Sequence, residues 1–375
     1  MELFASVPCS VSSQCSKLQE RCSRKTGHTV LLQLQKDLLD YRGLGISVLE
    51  LHHRSPEFAV VLDDTRAGLR ELLKIPENYK ILFLQCGASG QFSAIPFNFI
   101  GLKEARRADF VITGPWSAEA ANEARKLGEV RVVHPEQTDY TIFPDPSKWH
   151  LSPDSSYLYY CANDSISGME FHFIPDSKET VLISDMSSNF LSKPLDVCRF
   201  GVIFAAAQMN LGCAGVTVVL VREDLLESSL SRCPTVFDYK LQADGITSSP
   251  PCYSVYIMHL LVDWIKSQGG PEAIEQCSIA KSKLLYNVIE CSSDFYICPV
   301  DPKCRSRMNI LFRVGGPDGS DCLEQTFVNK AAERGMISLK SHRSVGGICA
   351  SLFNVTLEET QKLAEFMISF KKEHI

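Results

Sequence analysis

Residues 200–221 read FGVIFAAAQMNLGCAGVTVVLV. Two short apolar runs, rich in Val and Ala, flank a polar turn, with Gly212 and Gly215 just beyond it. Short apolar runs bounded by amides and glycines are the signature of buried strands. The turn itself is Gln208-Met209-Asn210. A flexible apolar methionine between two amides, where the chain reverses between core strands, needs a reason.

Outward from this stretch the same pattern recurs. KILFLQ, ADFVITG, EVRVVHP, SYLYYCA and TVLISDM are further short apolar runs. They are separated by helical segments such as SAEAANEARKLG and by loops. Strands that are apolar on both faces and alternate with helices predict an α/β fold with a mainly parallel sheet between helices. Ahead of them, TVLLQLQKDLLDYRG puts Leu31, Leu34, Leu38 and Leu39 on one helical face, ending at Gly43. FAVVLDDTRAGLRELLKI repeats the pattern with Phe58, Val61, Leu62, Leu69, Leu72 and Leu73. After SSPPCYSVY the pattern changes: helices over 254–268 and 272–290 precede strands FYICPV, MNILFRV and ICASLFNV. These alternate with helices near 323–333 and 357–371. The reading gives an irregular Ser- and Cys-rich leader (1–28), a large α/β domain (29–265) and a smaller C-terminal α+β domain (266–375).

Composition narrows the function. The chain has 375 residues, 45% hydrophobic and 22% charged, enough to bury a full core. A net charge of −6 without a Lys/Arg run argues against nucleic acid or an anionic membrane as the main partner. No apolar run reaches the roughly 18–20 residues that span a bilayer. Fifteen cysteines include no C-x-x-C pair and no His at zinc spacing, so no metal site is expected. An odd cysteine count and no secretory apolar region favour a reduced, cytoplasmic protein.

In sheets of this kind ligands gather at the C-terminal ends of the strands. There stand Cys86-Gly87-Ala88-Ser89-Gly90, whose backbone N–H groups either hold a phosphate or merely turn the chain. Trp116 follows the next strand, as a stacking face or a packed core residue. Asn163-Asp164-Ser165 and Asp185 end two more. A carboxylate at the end of an apolar strand needs a partner, and a cationic ring nitrogen, an arginine or a helix N-cap would each serve.

Together the segments GISVLELHHRSPEF, LQCGASGQFSA, TGPWSAEAA, YYCANDSISGMEF, SDMSSNFLSKPLDV, GVIFAAAQMNLGCAGVTVV and SHRSVGGICASLFN resemble the phosphoserine aminotransferase family. The resemblance runs from about residue 30 to the C-terminus. It implies an aspartate aminotransferase-like, fold type I homodimer that uses pyridoxal phosphate. It also implies roles. Backbone amides of Ala88 and Ser89, with the Gln208 side chain, hold the cofactor phosphate, and Trp116 stacks on the ring. Ser165 stands for a Thr that meets the ring hydroxyl, and Asp185 pairs with the ring nitrogen. Ser248 and Ser249 match an Asn-Thr pair that reaches the phosphate across the dimer. His53, Arg54, His342 and Arg343 match residues that clamp a substrate phosphate.

The same resemblance exposes three departures. The family writes Ala-Gln-Lys-Asn where this chain writes AQMN, so Met209 replaces the lysine that makes the Schiff base and moves the proton. A thioether fills a similar tube of space, so the fold survives while the chemistry does not. Cys349 stands where the family has the Arg that forks onto the substrate carboxylate. The family's N-terminal NFGPGPA-like segment is absent.

The leading expectation is a transamination-deficient member that binds the cofactor at best noncovalently. It would form a homodimer or a heterodimer with an active homologue, to whose site it could lend Ser248, Ser249, His53 and Arg54. The alternative is an active phosphoserine transaminase of serine biosynthesis, converting 3-phosphohydroxypyruvate and glutamate. That reading requires another amine to fold in beside Met209. A chain that folds poorly is the third reading.

Overall fold

The computed structural model describes residues 27–135, 139–245, 250–342 and 345–375. Expectations for residues 1–26, Ser248, Ser249 and Arg343 lie outside the described residues. The chain runs α1 (His28–Leu39), α2 (Pro56–Leu73), β1 (Tyr79–Leu84), α3 (Gly87–Phe99), β2 (Arg107–Val111), α4 (Pro115–Arg125), β3 (Glu129–Val132) and β4 (Ser155–Cys161). It continues through β5 (Asn163–Asp164), β6 (Met169–Glu170), β7 (Val181–Asp185), β8 (Val202–Ala206), β9 (Thr217–Arg222), α5 (Tyr239–Ala243), α6 (Cys252–Ser267) and α7 (Gly270–Glu290). It closes with β10 (Tyr296–Ile297), β11 (Asn309–Val314), α8 (Asp321–Glu333), β12 (Ile348–Ser351) and α9 (Leu357–His374).

Seven strands form one sheet in the order β1-β9-β8-β7-β4-β2-β3. β3, β2, β4, β7 and β8 pair in parallel, whereas β9 runs antiparallel to both β8 and β1. The reversal at 207–216 is therefore the one place where neighbours in the chain become antiparallel neighbours in this sheet. Side chains of a strand alternate between faces. Ile81, Phe83, Leu158, Tyr160, Ile203, Val218 and Leu220 accordingly pack with α1, α2 and α6 on one face. Leu82, Leu84, Tyr157, Tyr159, Phe204, Val219 and Val221 pack with α3 and α4 on the other. Both faces are covered, which is why these strands carry no polar alternation.

β10, β11 and β12 form a separate antiparallel sheet. Its core joins Phe312 and Ile348 to Leu285 of α7, Phe327 of α8 and Phe366 of α9. FYICPV pairs over only two residues, because Pro299 lacks the N–H that would continue the ladder. On α1 the buried face is Val30, Leu34 and Asp37, with Leu38 partly buried against the core, so two of the four expected leucines face inward and two do not. Leu31 is exposed and Leu39 is 82% exposed, as the helix gives way at Asp40 to a 3₁₀ turn over Tyr41–Gly43. Among the described residues no helix is long and apolar enough to cross a membrane.

Candidate active site

Segments leaving the C-terminal ends of β1, β4, β7 and β8, and the start of α4 after β2, converge on a cavity of about 260 Å³. Gly87, Ala88 and Ser89 line it from the first turn of α3, where backbone N–H groups have no acceptor within the helix. Such N–H groups, at the positive end of a helix dipole, suit an anion. Trp116 opens α4 and lines the cavity as well. Its indole N–H donates to Ser165 Oγ at 3.3 Å. Its backbone N–H donates to Asp164 Oδ2 at 3.3 Å, and Asp164 Oδ1 accepts the N–H groups of Ile166 and Ser167 at 3.0 Å. Gly114 is required beside it, since a Cβ there would lie 2.2 Å from Asp164 Oδ2.

Asp185 ends β7 at 4% exposure, and its Oδ1 accepts the Ser187 N–H at 2.8 Å. No lysine, arginine or histidine pairs with it among the described residues, so the arginine alternative is not realised. Burial, with Asp164 nearby, outweighs the bonds from Ser187 and pushes its carboxyl up to about 6. A cation entering the cavity would find a buried carboxylate with no counter-charge.

Gln208 and Met209 line the same cavity. Met209 is 8% exposed and packs with Met308 and Phe353. Its carbonyl accepts from Asn354 Nδ2 at 3.4 Å, and Asn210 Nδ2 donates to Phe190 O at 3.1 Å. The turn is thus pinned on both sides of the methionine.

A second, outer cavity of about 790 Å³ shares Trp116, Ser165, Gln208 and Met209 with the first. His342, Cys349 and Lys340 line it. Cys349 lies on β12 opposite Leu311, and burial pushes its thiol up to about 11, only partly offset by bonds with Ser351 and Asn309. A thiol held neutral in this way is a poor nucleophile and no substitute for a cation. His53 and Arg54 are not brought here by the same chain. They line a different cavity of about 510 Å³ with Arg66, Lys80 and Pro250. Lys340, Asn309 and Ser351 went unnoticed in the sequence; the only signal was the position of Lys340 two residues before His342.

The model of the class-V aminotransferases matches residues 19–368. Phosphoserine aminotransferase of Drosophila melanogaster is 48% identical over 354 residues, covering 93% of this chain and 97% of the relative. The chain belongs to the phosphoserine aminotransferase family. A probable phosphoserine aminotransferase of Caenorhabditis elegans is 45% identical, covering 93% of this chain and 95% of the relative. Among solved structures, phosphoserine aminotransferase of Bacillus circulans subsp. alkalophilus aligns with a TM-score of 0.89 at 37% identity, over 96% of this chain and 98% of that one. The pyridoxal phosphate-bound enzyme of Trichomonas vaginalis aligns with a TM-score of 0.87 at 36% identity, over 92% and 97% of the two chains. The fold is therefore the α/β, fold type I architecture of this family, and the family's cofactor is pyridoxal phosphate.

That cofactor presents a phosphate, an aromatic ring, a basic ring nitrogen and an aldehyde. In this family member the inner cavity offers helix-terminal N–H groups, an indole and the buried carboxyl of Asp185. No described lysine lines it. The residues fit the group held noncovalently and do not fit its covalent attachment there.

Proposed function

We propose that this member of the phosphoserine aminotransferase family binds pyridoxal phosphate or pyridoxamine phosphate without a covalent link and does not transaminate. The observation that carries this reading is Met209, buried against Met308 and Phe353 on the wall of the inner cavity. Ala88, Ser89 and Gln208 would hold the phosphate, Trp116 the ring, Ser165 the ring hydroxyl and Asp185 the ring nitrogen. When bound, the group supplies an electron sink. The residues around it bind and orient, but a thioether has no proton to exchange, so proton transfer at the substrate carbon loses its general base. A neutral Cys349 cannot fork onto a carboxylate as a guanidinium does. By comparison with other truncated charge pairs, that loss weakens substrate binding by roughly 2–5 kcal/mol.

The wider reading is a cytoplasmic dimer of two-domain chains, divided near residue 265. It is a homodimer or a heterodimer with an active relative. His53 and Arg54, with Ser248 and Ser249 just before Pro250, would serve the partner's site, while His342 and Arg343 serve their own. The separation of the His53–Arg54 cavity from the outer cavity supports this division of labour.

The test is a visible spectrum of the purified chain with pyridoxal phosphate, before and after borohydride, followed by peptide mapping. Saturable binding with no lysine labelled is expected. Native mass spectrometry after co-expression with an active homologue tests the mixed dimer, and exclusive homodimers would remove it. One observation favours the second reading, an active transaminase: Lys340 lines the outer cavity together with Met209. A reduced label on Lys340, with turnover of glutamate, would establish that reading instead.

A further inference from the structure

Behind the 208–210 turn lies another cavity, of about 270 Å³, bounded by α6, α7 and the segment that follows β12. Asn210, Met308 and Asn354, all in contact with the Met209 turn or part of it, line its inner wall. Lys281 of α7 lines it too, at 4% exposure. The ammonium donates to Leu352 O and Val355 O, both at 2.8 Å. An ammonium carries three N–H donors, so two neutral carbonyls leave one over.

No carboxylate forms an ion pair with Lys281 among the described residues. Glu359 influences it from a distance, but that carboxylate is engaged by the N–H and hydroxyl of Thr356 at the start of α9. Burial consequently holds the amine below its ordinary range. A buried cation with only neutral partners is unfavourable, and an arriving anion relieves it. Trp264, Ile274 and Leu357 give the cavity an apolar side that suits a ring, while Ser192, Gln268, Ser278 and Thr356 add polar groups elsewhere on its wall.

We propose that this cavity is a binding site for a small aromatic carboxylate, held through the remaining N–H of Lys281 with its ring against Trp264 and Ile274. The site is separate from the cofactor cavity and does not depend on whether pyridoxal phosphate binds. Asn354 joins the cavity wall to the Met209 carbonyl, so the site borders the turn from behind.

The experiment is calorimetric titration of the full chain with benzoate and with its neutral isostere benzamide. Benzoate should bind at least about tenfold more tightly, the margin of a charge-assisted bond. In Lys281→Met the two probes should bind within about twofold of each other. Ile274→Trp fills the cavity, leaves Lys281 in place and should abolish benzoate binding while thermal unfolding stays cooperative. The proposal is overturned if benzoate does not bind at millimolar concentration, if both probes bind the parent equally, or if the preference persists in Lys281→Met. Undiminished benzoate binding in Ile274→Trp also overturns it, and that arm decides the matter should Lys281→Met not fold.

Discussion

The inner and outer cavities meet at Met209, yet their polar groups have had different fates. In the inner cavity the carboxylates tie down backbone and the indole is tied to a neighbouring hydroxyl. Asp164 gathers three N–H groups, Trp116 ties to Ser165, and Asp185 accepts from Ser187. In the outer cavity Met209 and Cys349, the two positions on which the proposed loss of activity rests, hold side chains that pack well where they stand. Met209 completes a cluster with Met308 and Phe353, and Cys349 settles beside Asn309 and Ser351. On the function proposed above, groups with a structural duty persist and groups whose duty is chemical alone are exchanged. It follows that the intact inner set does not by itself demand a cofactor, and separate measurements of stability and ligand binding divide the two duties.

The largest expected effect is qualitative. Met209→Lys should convert a chain with no borohydride-reducible attachment into one that carries it at residue 209. The ammonium would enter a site that is 8% exposed, so the unliganded variant should melt at lower temperature, with pyridoxal phosphate restoring much of the loss. Turnover should stay undetectable until Cys349→Arg is added. Glutamate turnover by the single variant would show that the carboxylate fork is dispensable.

Asp164→Ala comes next, and it addresses the structural duty alone. Three N–H groups, two of them buried, lose their acceptor, so urea unfolding should show a loss of about 3 kcal/mol. Trp116 fluorescence should shift as the start of α4 loosens.

Asp185→Asn works in the opposite direction. Burial raises the Asp185 pKa from its ordinary value of 3.8 to about 6, so between those values the folded chain holds a proton that the unfolded chain has released. Stability from this group is present below pH 4 and is lost as pH rises through about 6. At pH 8 Asp185→Asn should therefore stabilise the unliganded chain by about 2–3 kcal/mol, a gain that vanishes toward pH 4. The same variant should bind pyridoxamine phosphate more weakly. Stabilisation without loss of that ligand would mean that Asp185 does not serve it.

Much of this contrast was legible before any coordinates. The alternation hidden inside the apolar runs is the two-face packing of β1, β4, β8 and β9, and the C-terminal ends of β1, β4, β7 and β8 mark the cavity because parallel strands expose their loops there. The methionine was visible because its neighbours are amides. What escaped was set by distance along the chain or by tertiary packing. Lys340, Asn309 and Ser351 reach the outer cavity only once β11 and β12 are laid against the 208–210 turn. Leu31 and Leu39 were misassigned because a leucine count cannot say which face of α1 meets α6, where buried Asp37 receives the Tyr256 hydroxyl. His53 and Arg54 could be named as clamp residues, but one chain by itself seats them in another cavity.

The smallest effect should come from Cys349→Ser, which tests whether that thiol has any duty at all. Its hydrogen-bonding neighbours, Asn309 and Ser351, already bond each other through Asn309 Nδ2 and Ser351 Oγ at 3.3 Å, so a hydroxyl inherits a satisfied surrounding. The thiol is neutral near pH 7, its pKa pushed up to about 11, and serine is neutral there too, so the exchange moves no charge. Unfolding free energy should therefore change by less than about 1 kcal/mol, and pyridoxamine phosphate affinity by less than about twofold. For the same reason iodoacetamide should label Cys349 slowly at pH 7.5 and much faster near pH 11, as read by peptide mapping. Rapid labelling at pH 7.5 would mean a thiolate in the outer cavity, and with it an anion where burial leads us to expect a neutral thiol.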